Sequence, residues 1–170
     1  MTEIVDTNVI LVANGQHPGV SEDCLETCIE RLLALKQHGR YAIDDAFEIL
    51  KEYQHKTEPR RGSRVGDQFV LWVLQNKANT KRCDQIHIVP DPEREWEEFP
   101  DDADLSDFDR PDRKFVAVAI RHPEHPPILQ AADAKWLGWN SALKRHGVAV
   151  DFLCAKAIRG FRKAKSEKNL

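Results

Sequence analysis

The spacing of apolar positions changes repeatedly along the chain, and those changes predict strands alternating with helices. Ile4 and Val5 form a short apolar run that stops at polar Asp6, Thr7 and Asn8, the pattern of a buried strand ending in a turn. Residues 9–13 open a helix. After Gly15 and Pro18, Ser21 and an acidic pair start a longer helical pattern over residues 20–37, with Leu25, Ile29, Leu32, Leu33 and Leu35 on its core face and Gly39 at its end. Residues 41–43 read as a second strand, and Asp44 as the N-cap of a helix carrying Phe47, Ile49, Leu50 and Tyr53 through residue 54. Beyond a loop over residues 56–66, the pattern predicts a helix at 68–76 and a third strand at 86–89. A small-residue helix at 112–120, a strand at 128–131, a helix at 136–146 and a closing strand at 148–153 complete the series. Such alternation predicts an α/β fold, a Rossmann-like three-layer sandwich whose mostly parallel central sheet is flanked by helices.

At 170 residues the chain matches one domain and can bury a sufficient core without disulfides or a structural metal. Its longest apolar runs, residues 69–74 and 115–120, fall far short of the ~20 residues that cross a bilayer. The N-terminus lacks a basic segment leading into an apolar one, so a cytoplasmic protein with no membrane partner is expected. Of Cys24, Cys28, Cys83 and Cys154, only the first two are close, and their i, i+4 place on an apolar helix face predicts buried free thiols rather than zinc ligands. His122 and His125 flank a proline-rich loop and are expected at the surface.

The net charge of −3 conceals segregation: residues 91–112 hold eleven acids and two bases, a net of −9, which leaves +6 elsewhere. The organisation expected is a domain over residues 1–155 with an acidic surface loop at 91–111, one turn of helix near Trp96, and a basic tail at 156–170. Lys56, Arg60, Arg61 and Arg64 form one basic cluster, and Lys156, Arg159, Arg162, Lys163, Lys165 and Lys168 another; together they permit a polyanionic partner.

Chemistry in an open parallel sheet gathers beyond the carboxyl ends of its strands. Several acids stand at those places: Asp6 after the first strand, Asp44 and Asp45 after the second with Glu48 and Glu52 on the following helix, Asp112 opening a helix, and Asp133 after the fourth strand. Any one of them can be a helix cap, and for Asp44 capping is the preferred reading. Their combination suits a hard divalent cation, Mg2+ or Mn2+, which needs clustered oxygen ligands and can promote phosphodiester hydrolysis.

These residues carry a resemblance. The run Ile4-Val-Asp6-Thr7-Asn8 resembles the opening motif of PIN-domain nucleases, a strand ending in Asp-x-Asn. The stretch 41–53, with Glu48 and Glu52, is similar to the family's second strand and glutamate-bearing helix; 112–119 resembles its third acidic motif and 128–136 its fourth. The resemblance implies a metal-dependent endoribonuclease giving 5′-phosphate and 3′-hydroxyl ends, with Asp6, Glu52, Asp112 and Asp133 as metal ligands or water-orienting groups and Asn8 fixing Asp6. Glu48 competes with Glu52 for the helix-borne role. Arg60, Arg61 and Arg64 are the candidates for backbone phosphate contact with RNA or single-stranded DNA. A toxin or defence role, an antitoxin or ATPase partner and a homodimer belong to the same implication.

Lys135 departs from the family pattern, which often has a further acid there, and it leaves one or two metals open. It also sustains a second reading, a catalytically weak or inactive PIN-like module that binds RNA or protein. A haloacid dehalogenase phosphatase ranks lower, because its second Asp is replaced by Asn8.

Overall fold

The computed structural model describes residues 1–155; the basic tail expected at 156–170 lies outside the described residues. The elements run β1 (Thr2–Val5), α1 (Thr7–Ala13), α2 (Glu22–His38), β2 (Arg40–Asp44), α3 (Glu48–Lys56), α4 (Val65–Asn76), β3 (Cys83–Ile86), β4 (Pro90–Asp91), β5 (Glu95–Trp96), α5 (Arg113–Arg121), β6 (Ile128–Gln130), α6 (Ala134–Arg145) and β7 (Val150–Phe152). Two single-turn 3-10 helices, Ala103–Leu105 and Arg110–Asp112, lie between β5 and α5. The central sheet has the order β3-β2-β1-β6-β7, all neighbours parallel, and the helices flank it as a Rossmann-like three-layer sandwich.

Topology explains where the sheet opens. The chain steps outward from β1 through β2 to β3, then returns across the sheet to β6 and β7. Right-handed crossovers therefore send α1 to α4 to one face and α5 and α6 to the other. Helices α1, α2 and α4 indeed pack on one another, while α5 lies along β1, β2 and β6. Between β1 and β6 the crossovers diverge, and a crevice forms at the strands' carboxyl ends. Val5 pairs with Leu129. The Asp6 N–H then donates to the Leu129 carbonyl at 3.0 Å, so Asp6 leaves the sheet at the rim of that crevice.

Four local readings change in the structure. The third strand is at Cys83–Ile86 rather than 86–89, with Tyr41 opposite Cys83 and Asp44 opposite Ile86. As an edge strand it is half exposed and needs no apolar run, whereas the apolar Ile88 beyond it is buried among other elements. The Asp44 carboxylate still caps α3, accepting the N–H of Glu48 and Ile49, but from the end of β2; the cap position itself is Phe47. His122 is buried, its Nε2 3.1 Å from Asp84 Oδ2, while His125 is exposed. Cys24 and Cys154 form a disulfide, which overturns the free-thiol reading for those two; Cys28 and Cys83 are buried and free. The bond closes a loop of 130 residues, a constraint worth about 2–4 kcal/mol in an oxidising medium.

The acidic segment is an ordered insertion with its own small core. Trp96 lies in the β4–β5 hairpin, not in a helical turn, and Phe99, Leu105 and Phe108 are buried. The Phe108 ring centre is 5.0 Å from that of Trp136 and 4.4 Å from that of Trp139. The two tryptophans of α6 therefore pack on the insertion. Arg113 seals the arrangement by donating to the Phe108 and Ser106 carbonyls while its guanidinium lies over Phe99. Among the described residues no helix is long and apolar enough to cross a membrane.

Candidate metal centre

Asp6 occupies the N-cap of α1, yet its side chain makes no capping hydrogen bond. It is 4% exposed, and its Oδ1 is buried with no hydrogen-bond partner among the described residues. An acceptor left in that state costs free energy unless something else meets it. The next residue, Thr7, donates from Oγ1 to Glu52 Oε2 at 2.8 Å. Glu52 comes from α3, which Tyr53 anchors by donating its hydroxyl to the Val5 carbonyl, one residue before Asp6. Lys114, from the first turn of α5, brings Nζ to 3.3 Å from Glu52 Oε2 and also donates to the Pro111 carbonyl. Glu48, one turn before Glu52, points elsewhere: it pairs with Lys51 at 2.9 Å and is 43% exposed. The Asn8 side chain accepts the Ala131 N–H at 3.1 Å and so ties the start of α1 to the end of β6, while the Asn8 backbone N–H faces the Asp6 carboxylate and favours its charged form.

The second half of the cluster comes from the opposite side of the crevice. Asp112 stands at the junction of a 3-10 turn and α5 with no capping bond, so capping does not account for it. Asp133 does cap α6, accepting the Lys135 N–H at 3.0 Å. Carboxylate oxygens of Asp109, Asp112 and Asp133 lie within 4.8 Å of one another. Asp109 is a carboxylate that sequence reasoning missed, as it missed the contacts of Thr7 and Lys114 with Glu52. It is one acid among eleven in residues 91–112, and its only local signal is the spacing to Asp112, which puts both on one turn.

The basic loop is placed apart from this cluster. Arg64 donates from Nε to Asp67 Oδ2 at 2.8 Å, and the fully buried Asp67 also takes the Asn14 amide, at the far end of α1. Seven residues of helix, about 10 Å, separate that end from Asp6. Arg60 and Arg61 are exposed in the same loop.

Crowding shifts the acids toward their neutral forms. Burial pushes the Asp6 carboxyl well above its usual range, and the charges of Asp112, Glu52 and Asp133 push it further, against a partial lowering by the Asn8 backbone N–H. Burial likewise raises Asp112 to about 6, with Glu52 adding to the shift, Lys114 opposing it, and Asp109 and Asp133 contributing less. A carboxyl whose folded-state pKa exceeds its unfolded one binds protons preferentially in the native state. Its stabilisation is complete below about pH 4 and is lost as pH rises through about 6. Asp112→Asn removes that dependence. In chelator, the variant should match wild type near pH 3.5 and exceed it by roughly 2–3 kcal/mol at pH 7. Thermal melts across this range check the expectation, and a gap independent of pH would show that Asp112 is not held among other acids.

Comparison of the chain with protein-family models, with curated proteins and with solved structures finds no match.

Proposed function

We propose that this protein is a nuclease of the PIN type, dependent on a divalent cation and hydrolysing RNA phosphodiester bonds. The observation that carries the reading is Asp6 Oδ1, a buried carboxylate oxygen without a hydrogen-bond partner among the described residues, set among the charges of Asp112, Glu52 and Asp133. An acidic cluster alone is common on protein surfaces; an orphaned, buried member of one is not.

The residues fit such an ion. Every donor is a carboxylate oxygen, the set that suits Mg2+ or Mn2+ rather than a soft metal. Asp6, Asp112 and Asp133 would hold the ion, with Glu52 beside them. When bound, it supplies activation of water and neutralisation of charge on the phosphodiester. The protein's own groups do the rest. Thr7 and Lys114 orient Glu52, and the Lys114 ammonium offsets part of the cluster's charge so that a phosphate can approach. Asn8 keeps the ends of β1 and β6 in register, so Asp6 and Asp133 stay on facing sides of the crevice.

The test is a metal-dependence assay of the full chain on mixed RNA and single-stranded DNA. With Mn2+, RNA should be cut to products with 5′-phosphate ends, and chelator should stop the reaction. A cation at a hundred times its dissociation constant should also stabilise the fold by about 2.7 kcal/mol. A melting shift without cleavage would leave a cation-binding module; neither effect would end the proposal.

A further inference from the structure

The insertion contributes a carboxylate to this cluster. Asp109 follows Phe108, whose ring is locked between Phe99, Trp136 and Trp139, and its carbonyl accepts the Asp112 N–H at 3.1 Å. The backbone carrying Asp109 is thus fixed from both sides, and its carboxylate stands with those of Asp112 and Asp133 inside a 4.8 Å span. Among the described residues Lys135 pairs with it, Nζ lying 3.0 Å from Asp109 Oδ2 on a side chain that is 63% exposed, while Lys114 acts on Asp112. An ion pair so open to water contributes little to stability, so it does not explain why three acids are held together. Asp6, whose Oδ1 is buried and has no hydrogen-bond partner among the described residues, lies near enough for the charges of Asp112 and Asp133 to act on it.

We infer that Asp109 is a ligand of the divalent-cation site formed with Asp112 and Asp133, and that the Lys135 ammonium is its resident counter-charge, displaced when the cation binds. The inference rests on the cation reading above and goes beyond it in assigning the insertion a working residue. Lys135 then has a role that its departure from the acidic pattern does not suggest. It holds Asp109 in place in the metal-free protein and swings into solvent when the cation binds, a motion that its exposed stem permits.

Mn2+ titration of the purified full chain by calorimetry tests the assignment. Affinity should fall about tenfold in Asp109→Asn, because ligand charge tunes affinity at oxygen sites. Glu97→Gln, which removes the same charge from an exposed part of the insertion, should change it less than twofold. Lys135→Met should tighten binding about threefold, and the gain should vanish when Asp109→Asn is also present. Near-ultraviolet circular dichroism from Trp136 and Trp139 confirms that each variant keeps the insertion docked. Equal affinities in Asp109→Asn and Glu97→Gln, or a Lys135→Met gain that persists without Asp109, overturns the assignment and leaves the cation site standing. No Mn2+ binding by the unaltered protein overturns both.

Discussion

Asp112→Asn should lower Mn2+-supported RNA cleavage by roughly a thousandfold or more, equivalent to about 4 kcal/mol of lost transition-state stabilisation, while the chelated protein stays at least as stable as wild type. The two halves of that result have one cause. Asp112 makes no capping bond and sits among Glu52, Asp109 and Asp133. Two carboxylates ~4 Å apart at an effective dielectric near 20 repel by about 4 kcal/mol, relieved in part by protonation. Neutralising one therefore relaxes the metal-free cluster and, on the proposed function, takes away a cation ligand at the same time. Asp6→Asn should act in the same direction, because the Asp6 side chain makes no capping bond either. Initial rates on a labelled single-stranded RNA, set beside melts in chelator, measure both halves. A large loss of stability in chelator would make these acids structural and remove the basis for the nuclease reading.

Phe108→Ala should destabilise the protein by about 3–5 kcal/mol, the cost of deleting a buried phenylalanine from a packed cluster. Phe108 is 2% exposed and touches three aromatic rings, two of them on α6. Its loss frees the segment that carries Asp109 and the carbonyl that Arg113 holds. Thermal denaturation should show the melting point falling by about 10 °C. The rate at a temperature where the variant is still folded should fall as well, since the turn bearing Asp109 and Asp112 is no longer held. A melting point within about 2 °C of wild type would mean that the insertion does not share the domain's core.

The strand-helix alternation was legible because the buried strands β1, β2 and β6 carry enough apolar residues to set their own period, and polar turns interrupt them. The acids at Asp6, Asp112 and Asp133 were legible for a related reason: each marks the point where the apolar pattern changes, so the end of an element and a candidate ligand coincide in the sequence. What escaped notice lies where pairing is long-range. β3 is recognised by its register with β2 and not by its own composition. The His122 imidazole is buried by a partner, Asp84, 38 positions away, and Cys24 finds Cys154 across 130. Nothing local separates those residues from their exposed counterparts.

The choice between Glu48 and Glu52 shows the same boundary from the side of the site. Both fit a helix face by spacing, and only the packing of α3 on β1, through the Tyr53 hydroxyl, turns Glu52 toward Thr7 and leaves Glu48 with Lys51. Asp109 is the stronger case, since among eleven acids the one that meets Asp112 and Asp133 is selected by the burial of its neighbour Phe108. The sequence by itself determined the α/β alternation and the places where acids end its elements, because apolar periodicity and turn chemistry act over a few residues. Only the tertiary structure decided which acids share the crevice, which cysteines meet and how the insertion docks. Those outcomes depend on a strand order and on side-chain packing between segments far apart in the chain, and no local pattern encodes them.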